Sequence, residues 1–250
     1  LAKPSRGPFN DTKPRVLGGH VVHAVVERAA IEPADVEDVI MGASVQQGTQ
    51  GFNIGRLCAY TGGLPDSVPG MAVDRMCASG LMSIGMAAKG IMTGELNIAI
   101  GGGVESLSLT QTKHKNAFRA RSEAVLQVMP SAYIPMIETA EIVSRRYGIS
   151  RAAQDEYSLQ SQLRTAAAQR DGLFDDEIVG LSVDKLLFAD GQPNGHERVQ
   201  VAKDECNRPN TRLEDLAALK PVWKDGSWIG QGEFVTGGNA SQLSEGAAPS

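Results

Sequence analysis

The chain has 250 residues, 42% hydrophobic and 21% charged, enough to bury the core of one large domain or two smaller ones and too apolar for disorder. Lys and Arg total 24 against 29 Asp and Glu, a net charge of -5 with the basic residues scattered, so no nucleic-acid partner is expected. Cys58, Cys77 and Cys206 are an odd number at wide spacing, which excludes a disulfide framework and points to a reducing, cytoplasmic setting; no apolar run long enough to span a bilayer and no secretory signal pattern is found, so no membrane partner is expected.

In chain order, Val16 to Ala30 places Val21, Val22, Val25 and Val26 at helical spacing, and Val39 to Val45 is short and strand-like. A helix over Ile54 to Tyr60 is stopped by Thr61-Gly62-Gly63-Leu64-Pro65. Val68 to Asp74 reads as a strand, Ser79 to Met92 as an apolar helix through Leu81, Ile84, Ala88 and Ile91, and Leu96 to Ile100 as a strand ending in Gly101-Gly102-Gly103. Strand, helix, strand in this order predicts a parallel sheet with helices on its faces, an α/β class. After Ser108 the sequence turns polar and then helical, with helices over Tyr133 to Tyr147 and Ser150 to Arg170, the second capped by Ser150 and closed by Asp171-Gly172. Thr211-Arg212-Leu213-Glu214 fits a capping box, and Lys220-Pro221 ends the short helix it opens. The predicted division is a core domain over 1–108, a mostly helical lobe over 109–233, and a return to the core domain over 234–250. Asn10-Asp11-Thr12 and Asn239-Ala240-Ser241 match the glycosylation sequon, and neither is expected to be modified in a cytoplasmic protein.

Met76-Cys77-Ala78-Ser79-Gly80 lies between a predicted strand and the next helix, where orphan backbone N–H groups and the helix dipole stabilise a thiolate and small neighbours leave room for a substrate. A free thiol with a pKa near 8.5 needs roughly 2 kcal/mol to be half-ionised at neutral pH, against about 0.3–1 kcal/mol from an ordinary helix terminus, so a second activating group is required. Cys58 falls in an apolar helical pattern and Cys206 in a polar loop beside Asp204 and Glu205; neither reads as a nucleophile.

Val73-Asp74-Arg75-Met76-Cys77-Ala78-Ser79-Gly80-Leu81, Gly101-Gly102-Gly103-Val104-Glu105-Ser106, and Thr236-Gly237-Gly238-Asn239-Ala240-Ser241 with Glu245-Gly246-Ala247-Ala248 resemble the thiolase family in order and spacing. Met136-Ile137-Glu138-Thr139-Ala140-Glu141, Asp204-Glu205-Cys206-Asn207-Arg208-Pro209 and Leu213 to Trp223 resemble that family's loop domain. The resemblance implies a layered thiolase-like fold, with a mixed-sheet core domain and a helical loop domain. It also implies acyl transfer on coenzyme A thioesters: thiolytic cleavage of a 3-ketoacyl-CoA or the reverse Claisen condensation, with Cys77 as the nucleophile that carries the acyl group. Coenzyme A is then a substrate, with no permanently bound cofactor and no metal. By the same resemblance Arg208 meets the nucleotide end, Trp223 packs on the adenine, Leu216, Gly237, Ser241 and Leu243 line the pantetheine path, and Met136 is a further coenzyme A-binding residue. Pro135 stands where many family members have a histidine, and Glu245 where aspartate is usual.

The family pattern also has a Gly-His-Pro histidine, an Asn-Glu-Ala-Phe run and a second cysteine in a glycine-rich turn, and His20, His23, His114 and His196 have none of those neighbours. The chain is therefore expected to be a fragment truncated at both ends, inactive alone, prone to aggregate through an uncovered apolar face, and part of a homodimer or homotetramer when whole. A ketoacyl or hydroxymethylglutaryl-type condensing enzyme, or a noncatalytic acyl-CoA or lipid binder, are the alternatives.

Overall fold

A computed structural model describes all residues, 1–250. The chain divides into two compact units: unit 1 takes in Leu1–Asn116, Ile178–Cys206 and Leu243–Ser250, and unit 2 takes in Ala117–Glu177 and Asn207–Gln242.

Unit 1 is built on a four-stranded mixed sheet. Helix α1 (Pro14–Ala29) opens on a proline in its first turn and closes at Ala30 in the left-handed conformation. It leads to β1 (Asp38–Gly42), α2 (Ile54–Thr61), β2 (Gly70–Val73), α3 (Ser79–Thr93) and β3 (Ala99–Glu105). Strands β2 and β3 flank β1 in parallel, and β6 (Gly246–Pro249) adds antiparallel to β3, giving the order β2-β1-β3-β6. The core runs through Leu17, Val22, Val26, Val39, Met41, Ile54, Val68, Ile100 and Val104. The spacings read from the sequence for α1, α2 and α3 come out within two residues at each end. Strand β3 does not: it starts at Ala99 and runs through the three glycines to Glu105. A Cβ on Gly101 would lie 2.7 Å from the Ile84 Cα, and one on Gly103 3.1 Å from the Gly80 Cα, so these residues are strand interior with α3 resting on the backbone. The outward side of α3 leaves Leu81 76% and Met92 85% exposed, with Ile84 and Ile91 also open.

A hairpin of β4 (Leu181–Ala189) and β5 (Gln192–Val201) lies inside the stretch read as a helical lobe. Its Val183 is buried in the unit 1 core, with Leu181, Val199 and Val201 packed beside it, so residues 178–206 group with the sheet. Its outer half, Gln192 to Glu197, is exposed on both faces and carries no period-2 apolar alternation. A short α4 (Leu107–Thr110) follows β3.

Unit 2 carries α5 (Glu123–Val128), α6 (Met136–Tyr147), α7 (Arg151–Arg170) and α8 (Leu213–Ala217). The Ser150 hydroxyl caps α7 as its sequence predicts, accepting from the Ala153 N–H at 3.2 Å. The capping box at Thr211 does not form: Arg212 is the cap residue, and the Thr211 hydroxyl donates instead to the Arg208 carbonyl at 2.7 Å. Arg212 turns to Asp215, three residues on, with N–O distances of 2.9 and 3.0 Å. No helix is long and apolar enough to cross a membrane.

Both sequon asparagines are spent on structure. Asn10 donates to the Ser5 and Leu186 carbonyls and accepts from the Leu186 N–H. Asn239 accepts from the Thr236 N–H at 2.8 Å and donates to the Phe234 carbonyl and to Asp155.

Candidate active site

Because β1, β2 and β3 are parallel, their C-terminal ends share one edge, the edge where open α/β sheets bind ligands. Cys77 stands there, exposed, just ahead of Ala78, the N-cap of α3. The turn is held by its own sequence neighbours. The Ser79 hydroxyl accepts from the Arg75 N–H at 2.8 Å and donates to the Met76 carbonyl at 2.6 Å, while the Asp74 carboxylate accepts from the Met76 N–H at 2.8 Å. Met76 is forced to a φ of 51°, a left-handed conformation that a side chain of this size takes only under constraint. The result is a thiol pushed out on a tight strand-to-helix turn at the positive end of a 15-residue helix.

His20, His23 and His196 make no contact with this thiol. His23 pairs with Glu27 at 3.4 Å, His196 pairs with Asp11 at 3.0 Å, and the Nε2 of His20 is buried on α1 without a partner. The other cysteines are placed for different work. Cys58 is fully buried under α1, and burial pushes its thiol up to about 12, which keeps it protonated. A Cβ on Gly18 would lie 2.2 Å from the Cys58 sulfur, so the sulfur fills the space between the two helices. Cys206 is half-buried, its sulfur 3.3 Å from the Ser244 hydroxyl.

The same sheet edge carries a network from the end of β3. Glu105 accepts from the Ser44 N–H at 2.8 Å, the Ser44 hydroxyl at 2.7 Å and the Gln50 side-chain amide at 2.6 Å; Gln50 in turn accepts from the Ser106 N–H at 2.6 Å. One carboxylate thereby fastens the loop after β1 to the end of β3. Glu245 is buried one residue before β6 and accepts from the Ser108 N–H and hydroxyl at 3.0 and 2.9 Å. Burial pushes its carboxyl above the ordinary value, opposed by those hydrogen bonds.

Unit 2 is organised by buried carboxylates. Glu138 accepts from the Trp228 and Ile229 N–H groups at 2.6 and 2.8 Å, and Glu141 from those of Glu233, Phe234 and Val235, so α6 moulds the segment 226–235. Asp155 joins Arg151 at 2.8 Å and Asn239 at 3.1 Å, and Arg151 also donates to the Leu216 and Leu219 carbonyls. The Thr236-to-Ser241 turn and the end of α8 are thus both tied to α7. Between them lies a cleft of about 510 Å³ lined by Gln162, Asn207, Arg208, Leu216, Leu219, Gly237, Gly238 and neighbours.

Of the residues that the resemblance offered for coenzyme A, this cleft gathers Arg208, Leu216 and Gly237. It does not gather the rest. Met136 begins α6 and is 75% exposed, away from the lining. Trp223 is committed to its own loop: its indole N–H donates to the Ile229 carbonyl at 2.9 Å, and its ring leaves no room for a Cβ on Gly226. Ser241 is exposed and not part of the lining, and Leu243 belongs to unit 1. Gln162 and Asp155 went unmarked in the sequence, since each is one polar residue in a polar helix and acquires its partners only when the distant 207–239 segment folds against α7.

The family described as "Thiolase, N-terminal domain" matches residues 2–249. The chain is 37% identical to "3-ketoacyl-CoA thiolase 5, peroxisomal" of Arabidopsis thaliana over 99% of its own length and 52% of that protein's. It is 36% identical to "3-ketoacyl-CoA thiolase B, peroxisomal" of Rattus norvegicus over 99% of its length and 56% of the relative's. It is 34% identical to "3-ketoacyl-CoA thiolase" of Bacillus subtilis over 99% and 61% respectively. Among solved structures, the Bacillus anthracis acetyl-CoA acetyltransferase superposes with a TM-score of 0.76 at 32% identity, covering 100% of this chain and 62% of the other. The chain spans about half the length of the curated relatives it matches. With the exposed cysteine at the sheet edge, the glycine-packed β3 and the Asn239 turn all in one continuous match, the chain belongs to the thiolase family, as its N-terminal domain.

Proposed function

We propose that this chain supplies the nucleophile of an acyl transferase acting on coenzyme A thioesters, which cleaves 3-ketoacyl-CoA by thiolysis or runs the reverse Claisen condensation. The observation that carries the proposal is the exposed Cys77 at the N-terminus of α3 on the C-terminal edge of the parallel sheet. In cleavage, the Cys77 sulfur attacks the 3-keto carbon, the bond between C2 and C3 breaks, and acetyl-CoA leaves after its carbanion takes a proton. The thiol of free coenzyme A then attacks the acyl-cysteine and returns the Cys77 thiolate. An acyl-cysteine is itself a thioester, nearly isoenergetic with acyl-CoA, so exchange of the acyl group between Cys77 and coenzyme A runs in either direction. The proton transfers, and the second stabilising group that Cys77 requires, come in this proposal from outside these 250 residues. The open apolar side of α3 supports the same reading, since a partner domain packed on Leu81, Ile84, Ile91 and Met92 would cover it.

In this proposal coenzyme A is a substrate, with no resident cofactor and no metal, and the assembled protein is a homodimer or homotetramer. The cytoplasmic assignment rests on cysteine usage alone; the Arabidopsis and rat relatives carry peroxisomal names. Incubating the protein that contains this chain with acetyl-CoA and mapping the peptides is expected to find the acetyl group on the Cys77 peptide and on neither other cysteine. Acetylation at Cys206, or at no cysteine while coenzyme A is released, overturns it.

Arg208 is the one cation among the residues lining the unit 2 cleft, suited to the phosphates at the nucleotide end of coenzyme A. An Arg208→Ala variant is expected to raise the KM for coenzyme A about tenfold or more with kcat within about twofold, because a contact remote from the thioester contributes equally to ground and transition states. Steady-state kinetics with varied coenzyme A check it; an unchanged KM removes Arg208 from the site.

A further inference from the structure

Arg208 does not hold its own position. Its backbone N–H donates to the Gln162 side-chain oxygen at 2.7 Å. The preceding residue, Asn207, donates through its side-chain amide to that same oxygen at 3.0 Å and to the Gln162 backbone carbonyl at 2.9 Å. One residue of α7 therefore takes three hydrogen bonds from two consecutive residues of a segment 45 positions away, and all three residues line the unit 2 cleft.

Two features separate this clamp from ordinary loop packing. Both groups facing the Asn207 amide are acceptors, so its nitrogen must point at Gln162 and its oxygen must point away. That oxygen is buried without a donor, an arrangement that folding alone disfavours. The carbonyl of Arg208 is also fixed, accepting from the Thr211 N–H at 3.1 Å and the Thr211 hydroxyl at 2.7 Å. With its N–H and its carbonyl both held, the Arg208 backbone is immobilised on both sides while its side chain stays exposed at the cleft. The nearby Arg212 is engaged by Asp215, which leaves Arg208 as the cation free for a ligand.

We infer that Gln162 is a positioning residue for the nucleotide end of the ligand, acting through Arg208. The inference rests on the coenzyme A reading of the cleft. Gln162 acts only as an acceptor in these contacts, which sets the substitutions that test it. Gln162→Met keeps the volume and removes the side-chain acceptor; Gln162→Glu keeps the acceptor and adds a charge that salt screens.

The test measures binding of coenzyme A and of pantetheine, which lacks the nucleotide, to the whole protein by calorimetry at low and high salt. Gln162→Met is expected to weaken coenzyme A about tenfold while pantetheine affinity stays within about twofold, since a misplaced cation costs only the ligand that carries phosphates. Gln162→Glu is expected to recover coenzyme A affinity to within about threefold of the unaltered protein at high salt. If Arg208→Ala weakens coenzyme A and Gln162→Met does not, the inference fails and the cleft assignment stands. If Arg208→Ala has no effect, the cleft assignment itself fails. Equal loss of both ligands in Gln162→Met marks a general structural role and overturns the inference. Should Gln162→Met not fold, a Gln162→Glu protein that binds coenzyme A as poorly as Arg208→Ala at high salt overturns it equally.

Discussion

Cys77→Ser is expected to lower thiolysis roughly a thousandfold or more in the protein that carries this chain, with its melting temperature almost unchanged. The exposed side chain packs against little, so the swap of sulfur for oxygen costs the fold almost nothing. It costs the chemistry the nucleophile: a serine hydroxyl has no accessible anion near neutral pH, and an oxygen ester would not be isoenergetic with the thioester substrate. Cys206→Ser is the matching control for activity, since the half-buried Cys206 already faces a hydroxyl partner in Ser244. Cys58 calls for alanine in place of serine, because a hydroxyl at that fully buried position could cost about 1–3 kcal/mol and confuse lost stability with lost catalysis. Turnover in Cys77→Ser comparable to that of the unaltered protein would remove Cys77 from the mechanism.

Gly42→Ala is expected to be the most damaging one-methyl change in the sheet. A Cβ there would sit 2.2 Å from the Ser79 carbonyl carbon, 2.4 Å from its oxygen and 2.5 Å from the Gly80 nitrogen, all backbone of the first turn of α3. A side chain could rotate away; the helix must move as a body, and Cys77 moves with it. The expected loss is about 3 kcal/mol or more, a fall in Tm of roughly 6–12 °C for a domain of this size, with acyl transfer lost alongside. Gly85→Ala in the same helix is the contrast: a Cβ there has open space, and the gain in helix propensity predicts a change of about 0.5–1 kcal/mol in the stabilising direction. Thermal unfolding of both variants checks the pair. A Gly42→Ala protein as stable as its parent would mean that α3 does not rest on β1 as described.

Helices α1 to α3 and the parallel pairing were legible from the sequence because each apolar stripe repeats at the period of its own element and ends in its own glycines or proline. Cys77 was legible for a related reason: its turn is local, built from Asp74, Met76 and Ser79 within a few residues. What folding decided is everything whose partner is distant in the chain. Gly101 to Gly103 look like a strand terminator until α3 and β6 press on them, and only that close approach shows them to be strand interior. The β4–β5 hairpin looks like polar loop because only its Leu181, Val183, Val199 and Val201 end meets the core. Trp223 and Arg208 carry equal weight as letters, yet the tertiary structure assigns the indole to a carbonyl six residues away and leaves the guanidinium at the cleft. Local patterns set backbone shape because propensity and periodicity act within a turn or two. Which polar group answers which depends on separations of 46 to 94 residues, as for Gln162 with Arg208 and Glu141 with Val235, and no local pattern encodes those pairings.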